Sequence, residues 1–205
     1  MSVSTTSRIE EIWGSKAGKL PLDFANTAEW HMSSSPEEKV HNYSDLVRWS
    51  QDAGLFGQRT AKSMLKEAER HPRQAKAVLR RSLSLREAIF GIFTSVAGDK
   101  KPRESDLALL NEFLGDASQA QHLVQTPTGF DWEWNQDSLD RMLGPIARSA
   151  ADLLTSDDLK KVGVCADDRG CGWLFYDTSR NHSRKWCSME SCGNRAKAKR
   201  HYQRN

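Results

Sequence analysis

The sequence predicts a mainly α-helical protein: an N-terminal helical domain that includes one small β-hairpin, followed by a small domain with four cysteines. Two observations lead to this prediction. Apolar residues recur at helical spacing through most of the first 160 residues, and every cysteine of the 205-residue chain lies between Cys165 and Cys192. We therefore predict one domain over residues 1–160 and a second over residues 161–205.

Five helices are predicted in the first domain. Ser44 is placed to cap the first, which Gly54 and Gly57 end. The next three are expected over residues 60–70, 72–97 and 104–117, with Pro72 suited to a first helical turn. The fifth is predicted to run from Ser138, or from Asp137 as its cap, to residue 154. Because Pro145 lies inside this last pattern, we expect a kink there.

A change of period between the fourth and fifth helices predicts the hairpin. Residues 122–126 and 129–135 flank a Pro-Thr-Gly turn, and the second run alternates apolar with polar side chains. The tryptophans of this domain could line a pocket or fill the core. We expect the core for at least two of Trp30, Trp132 and Trp134.

The four cysteines follow the spacing C-x5-C-x15-C-x4-C, in which Cys165 and Cys171 form one pair and Cys187 and Cys192 the other. Two such pairs can converge tetrahedrally on one Zn²⁺, and four thiolates leave no coordination position for a reacting water. Two disulfides are the alternative, but the N-terminus carries no secretory signal, so that a cytoplasmic address is expected. A structural zinc site is the preferred interpretation. We expect chelation to unfold this domain and to leave the helical domain intact.

Charge is distributed unevenly along the chain. Residues 1–164 carry 21 basic and 23 acidic residues, whereas residues 165–205 carry nine basic and four acidic ones. A basic end on a mildly acidic body is typical of a polyanion-binding module. A solvated basic tail is the alternative.

Residues 165–195, which end in Cys192-Gly193-Asn194-Arg195, resemble the CGNR zinc finger. The helical domain resembles the ABATE domain that accompanies this finger in bacteria, in residues 22–27, in the pair Trp132 and Trp134, and in residues 149–154. The loop 166–170 is slightly longer than the first knuckle usual in that family. The family is regarded as stress-related transcriptional regulators. The resemblance therefore implies gene regulation, with one structural zinc ion.

A helix over residues 189–204 would place Ala198 and Tyr202 on one face and Lys197, Arg200 and Arg204 on the opposite face, with Arg195 and Lys199 beside Tyr202. One face would pack on the finger, and the other would present cations to duplex DNA. A second basic segment is suited to phosphate contacts and contains Arg180, Asn181, Arg184 and Lys185. Hydrogen bonds that brace the finger are the alternative for Arg180 and Asn181.

Three polar residues, Asp23, Asn26 and Thr27, lie in an otherwise apolar segment. They could form the floor of a small-molecule effector pocket, or cap local backbone groups. The second interpretation is favoured.

The sequence thus predicts a DNA-binding transcriptional regulator, and a homodimer is a reasonable expectation. An RNA-binding or protein-binding adaptor is the alternative. An enzyme is not expected, because outside the cysteines the sequence offers only Asp177, Asn181 and His182 as a polar set. No membrane partner is expected either, since no apolar run approaches 18 residues.

Overall fold

The computed structural model of the chain describes residues 17–134 and 138–203, and it is mainly helical, as predicted. Its helices are α1 (Leu20–Ala25), α2 (Tyr43–Asp52), α3 (Gln58–Arg70), α4 (Pro72–Ala97), α5 (Glu104–Ala120), α6 (Leu143–Leu154) and α7 (Asn194–Tyr202). The strands form three antiparallel pairs: β1 (Ala28–Glu29) with β2 (Glu37–Glu38), β3 (Gln121–Thr126) with β4 (Gly129–Trp134), and β5 (Val162–Val164) with β6 (Leu174–Tyr176). A 3₁₀ turn, Asp157–Lys161, precedes β5.

Helix α4 is the centre of the core. It packs against α1, α2, α3, α5 and α6 and also against the strands β5 and β6. Its residues Leu85, Ile89 and Phe93 are fully buried, because apolar side chains at spacings of three and four share one face of a helix. Within the described part of the chain, no helix is both long and apolar enough to cross a membrane.

The N-cap of α2 is not the residue that was predicted. Asn42, rather than Ser44, is the N-cap, and its side-chain oxygen accepts a hydrogen bond from the Asp45 amide at 2.9 Å. The Ser44 hydroxyl instead donates to the Asn42 side chain at 2.5 Å. Asn42 has the extended backbone that a capping residue needs, whereas Ser44 already lies inside the helix.

The predicted kink at Pro145 is wrong, because the helix begins later than expected. Residues 139–142 form turns, and α6 starts at Leu143, so that Pro145 lies in its first turn. The first four backbone N–H groups of a helix have no acceptor within it, and a proline there removes no hydrogen bond. Asp137, the alternative cap, lies outside the described residues.

The predicted hairpin is present, but the expected burial of its tryptophans is wrong. Trp132 lies directly opposite Leu123 and is 59% exposed. Trp134, at the base of the hairpin, is half-buried against Gly144, where an added Cβ would come within 2.5 Å of the indole ring. Trp30 is half-buried as well. Side chains on a two-stranded ribbon are buried only where another layer covers the ribbon, and here this holds at its base alone.

Tyr43 joins α2 to the turn before α6, since its buried hydroxyl donates to the Leu139 carbonyl at 2.7 Å. We expect Tyr43→Phe to lower the free energy of unfolding by about 1–2 kcal/mol, because the buried carbonyl loses its donor. Urea titration measures this effect. The control is Tyr202→Phe at an exposed tyrosine, for which no change is expected. Equal stability of the two variants would contradict the assignment.

Candidate metal centre and basic surface

The side chains of Cys165, Cys171, Cys187 and Cys192 converge in the C-terminal domain. Their four sulfur atoms all lie within 4.8 Å of one another, and all four side chains are buried. The sulfur of Cys187 is 3.7 Å from that of Cys171 and 3.5 Å from that of Cys192. A tetrahedral Zn²⁺ with Zn–S bonds of about 2.3 Å requires sulfur atoms about 3.8 Å apart. The donor set therefore fits one tetrahedrally coordinated zinc ion.

The electrostatics of the four thiols favour a bound cation. When Cys165 ionises, its thiolate accepts hydrogen bonds from Cys171 and Cys187, which lowers its own pKa and raises the pKa of both neighbours. Without a cation, the four groups oppose one another's ionisation in a buried site. A divalent ion removes this penalty because it binds the deprotonated form of each sulfur.

The first knuckle is the loop between Cys165 and Cys171. The Asp167 carboxylate accepts a hydrogen bond from the Arg169 amide at 3.0 Å, and the loop closes through Gly170, at a φ of +88°. An added Cβ on Gly170 would lie 2.6 Å from the Ser33 backbone nitrogen. This position therefore requires glycine both for its backbone conformation and for its contact with the helical domain.

Arg195 connects the first knuckle to Cys192 in the second cysteine pair. Its guanidinium donates to the Asp167 carboxylate at 3.0 and 3.2 Å and to the Cys192 sulfur at 2.8 Å. Burial alone would raise the pKa of Asp167, but hydrogen bonds from Arg169 and Arg195 hold it well below its usual range. In this structure Arg195 thus stabilises the knuckles and supplies a donor to a sulfur ligand.

Arg184 has a similar bracing position. Its side chain donates to the Trp186 carbonyl at 2.8 Å and to the Cys187 carbonyl, and its guanidinium lies 4.6 Å from the centre of the Phe175 ring. The Asp177 carboxylate accepts hydrogen bonds from the backbone amides of Ser179 and Arg184. Asp177 is the carboxylate of the polar set considered for catalysis. Its hydrogen bonds stabilise the loop over residues 177–184.

The finger is attached to the helical domain through Asn26. The Asn26 amide donates to the Leu174 carbonyl at 2.9 Å and accepts from the Leu174 amide at 3.0 Å, so that it pairs with β6 as a neighbouring strand would. Leu174 and Val162 belong to the core cluster of the helical domain rather than to the cysteine cluster. The two parts of the chain thus share hydrophobic core.

The other two residues of the predicted effector pocket are buried beside Asn26. Asp23 accepts a hydrogen bond from the Ala17 amide at 3.2 Å. The Thr27 hydroxyl donates to the Phe24 carbonyl at 2.8 Å and accepts from Arg86 at 3.3 Å. All three side chains make contacts within the chain. An effector pocket at these residues stays a prediction.

Sequence reasoning missed the loop between β1 and β2, which covers the cysteine centre. Trp30 packs against the cysteine cluster, and its ring lies 4.9 Å from the Arg169 guanidinium and 5.5 Å from that of Arg195. The Met32 amide donates to the Gly170 carbonyl at 3.1 Å. Trp30 has a positive φ of 52°, which turns its ring toward the cysteine cluster. No pattern in the sequence predicts such a backbone conformation.

Two contacts with α4 hold this loop and the strand β2 that follows it. Arg86, on α4, donates to both oxygens of Glu38 at 2.6 and 2.7 Å. His31 binds Glu87 at 2.8 Å and stacks on Phe90, with ring centres 3.6 Å apart. These contacts explain why a short two-stranded ribbon has a defined position above the finger.

The predicted C-terminal helix is present, with a π-helical turn over Met189–Gly193 before α7. The expected packing face is wrong, because Ala198 and Tyr202 are exposed, whereas Arg195 and Ala196 are half-buried toward the finger. The centre and the helix together line an open groove of about 590 Å³. The cations along this groove are Arg169, Lys185, Arg195, Lys199 and Arg200.

Three other predicted contact residues, Arg180, Asn181 and Lys197, are exposed but are not among the residues that line this groove. Lys199 forms an ion pair with Asp168. Arg204 lies outside the described residues.

A mainly helical body with a buried four-thiolate centre at its C-terminal end defines a zinc-finger protein. Residues 18–157 match the ABATE family model, whose description is "Putative stress-induced transcription regulator", and residues 161–205 match the CGNR zinc finger. The chain therefore belongs to the ABATE family and carries a CGNR zinc finger. Neither is an enzyme family. A comparison with curated proteins finds no match.

Proposed function

We propose that this chain is a zinc-dependent, DNA-binding regulator of transcription. In this proposal the finger contacts duplex DNA, and the helical domain serves sensing or dimerisation. A bacterial protein of this kind would act in the cytoplasm, where its DNA target lies. The observation that carries the proposal is the groove between the first knuckle and α7. Among the described residues, five cations and two carboxylates, Asp167 and Asp168, line it, and such a surface attracts phosphates.

The cations have different parts in this proposal. Arg184 and Arg195 brace the finger, and we assign them no direct contact with DNA. Lys185 and Arg200 line the groove, Lys197 lies on the same helix as Arg200, and all three are exposed, so we assign them to phosphate oxygens or base edges. Arg180 and Asn181 lie in an exposed turn and extend the surface.

Helix α7 has dimensions that suit duplex DNA. Its nine residues span about 13 Å, and an α-helix with its side chains, about 10–12 Å in diameter, fits the major groove of B-DNA, which is about 12 Å wide. The neighbouring zinc centre would hold the helix rigidly, so that little ordering is needed on binding. One finger with one short helix can read few base pairs.

We expect the triple variant Lys185→Ala, Lys197→Ala, Arg200→Ala to weaken DNA binding about tenfold or more. Its log–log dependence of affinity on salt should be shallower by about 3, one unit for each lost phosphate contact. Fluorescence anisotropy with duplex DNA at several salt concentrations measures both quantities. The matched control is Lys62→Ala, Lys66→Ala, Arg73→Ala, which removes two lysines and one arginine from exposed positions on α3 and α4.

Equal affinities for the two triple variants would rule out this surface as the DNA site. The DNA used should come from capture of sheared genomic fragments by the zinc-loaded protein. Enrichment of a few intergenic sites supports a specific regulator. Retention of RNA in preference to duplex DNA, or no retention at moderate salt, would instead support an RNA-binding or protein-binding adaptor.

A further inference from the structure

The hairpin of β3 and β4 exposes an apolar face that the fold of one chain does not cover. Leu123 and Trp132 are directly opposed, and Phe130 lies on the same face, since side chains alternate along each strand. Their exposed fractions are 57%, 59% and 71%. Among the described residues, these three belong to neither hydrophobic cluster. The hairpin is held at its base, where Trp134 covers Gly144.

We propose that this face is the dimer interface of the protein, and that it packs against the same face of a second copy about a twofold axis. Two hairpins would then stack face to face about 10 Å apart, as the layers of a small β-sandwich do. In such an interface each residue meets its own symmetry mate or a neighbour of it, so that one patch must be complementary to itself.

The apolar area exposed on this face is consistent with a second copy of the chain as the partner. Aromatic side chains bury about 150–250 Å² each when covered, so the three side chains offer about 350 Å² of apolar surface in each copy. A patch of this size is on the scale of functional apolar patches on monomers. Two copies would bury about 700 Å² through these side chains, and the adjoining backbone and the flanking glutamines add to this area, toward the size of about 1,200 Å² at which specific stable interfaces begin.

The chemistry of the face also favours a second copy. The residues on this side of the ribbon are uncharged, and they include Gln121 and Gln125. A glutamine amide both donates and accepts, so it can bond to its own symmetry mate. The opposite face of the ribbon carries the charged residues Asp131 and Glu133 and is not part of the proposed interface.

The charges on the hairpin disfavour nucleic acids and anionic lipid surfaces as partners. Residues 121–134 contain no lysine or arginine, and their two acids would repel the phosphates of nucleic acids and of anionic lipid surfaces. The basic surface of the finger and the apolar face of the hairpin therefore suit different partners. The proposed dimer does not depend on the proposed DNA binding, although a twofold dimer would present two fingers to an inverted repeat.

Sedimentation of the zinc-loaded full-length protein, without DNA, tests the proposal. We expect the wild-type protein to be a dimer at micromolar concentrations. Phe130→Ser with Trp132→Ser should weaken dimerisation about 100-fold or more, because buried aromatic residues dominate such interfaces. His122→Ser with Asp131→Ser, on the opposite face of the same strands, is the matched control and should remain dimeric.

Leu123→Glu is a second variant that guards against misfolding. Its carboxylate would be in water in a monomer, but in a dimer it would be buried with its symmetry mate, so we expect a folded monomer with native helicity by circular dichroism. A wild-type protein that stays monomeric at high concentration would overturn the proposal. So would a Leu123→Glu variant that dimerises as strongly as the wild type.

Discussion

Replacing Cys187 with serine is expected to abolish zinc binding and to unfold the finger. Cys187 lies within 3.7 Å of two other ligand sulfurs, and a hydroxyl does not replace a thiolate as a zinc ligand. A structural zinc site contributes about 10 kcal/mol or more to the folding of such a domain. The measurements are bound zinc per chain and the rate of proteolysis within residues 165–203. Ser188→Ala, at the neighbouring position, is the control and should keep both properties.

The structure changes the effect that zinc loss is expected to have on the stability of the helical domain. An intact helical domain was expected after loss of zinc, but Val162 and Leu174 are part of its core. We now expect most helicity to persist after loss of zinc and the melting temperature of the helical domain to fall by about 5–10 °C, because two buried apolar side chains are removed from that core. An unchanged melting temperature would show that the two parts fold independently.

Asn26→Ala is the second change with a large expected effect. It removes two hydrogen bonds and leaves the backbone N–H and C=O of Leu174 buried without partners, which costs about 2–5 kcal/mol in total. We expect the finger to detach from α1 and to become sensitive to protease while zinc stays bound. Urea unfolding, followed by helicity and by proteolysis, measures both effects.

Two further variants make the Asn26 experiment specific. Asn111→Ala removes an exposed asparagine from α5 and should change stability by less than about 0.5 kcal/mol. Asn26→Asp keeps the acceptor for the Leu174 amide but sets an oxygen against the Leu174 carbonyl, so it should be as harmful as alanine. If Asn26→Asp were neutral, the paired hydrogen bonds would not be what joins the finger to the body.

Local patterns in the sequence predicted much of the fold correctly. The bounds of α4 and the position of the hairpin follow from apolar periodicity and from turn residues, which act over a few positions. The zinc ligands were predictable for a similar reason, since two pairs of cysteines at short spacing are typical of a tetrahedral zinc site. The later start of α6 was missed because a proline is compatible with both a kink and a first turn.

From the sequence alone follow the mainly helical class, the four zinc ligands and the basic character of the C-terminal end, because each depends on residue type and short spacing. Only the tertiary structure decided the parts taken by Asn26, Trp30 and Arg195. Asn26 and Trp30 act on residues far away in the chain, and Arg195 is turned to Asp167 and Cys192 by the folded knuckles. The partner of a polar or aromatic side chain is determined by which segments the hydrophobic core brings together, and no local pattern records that choice.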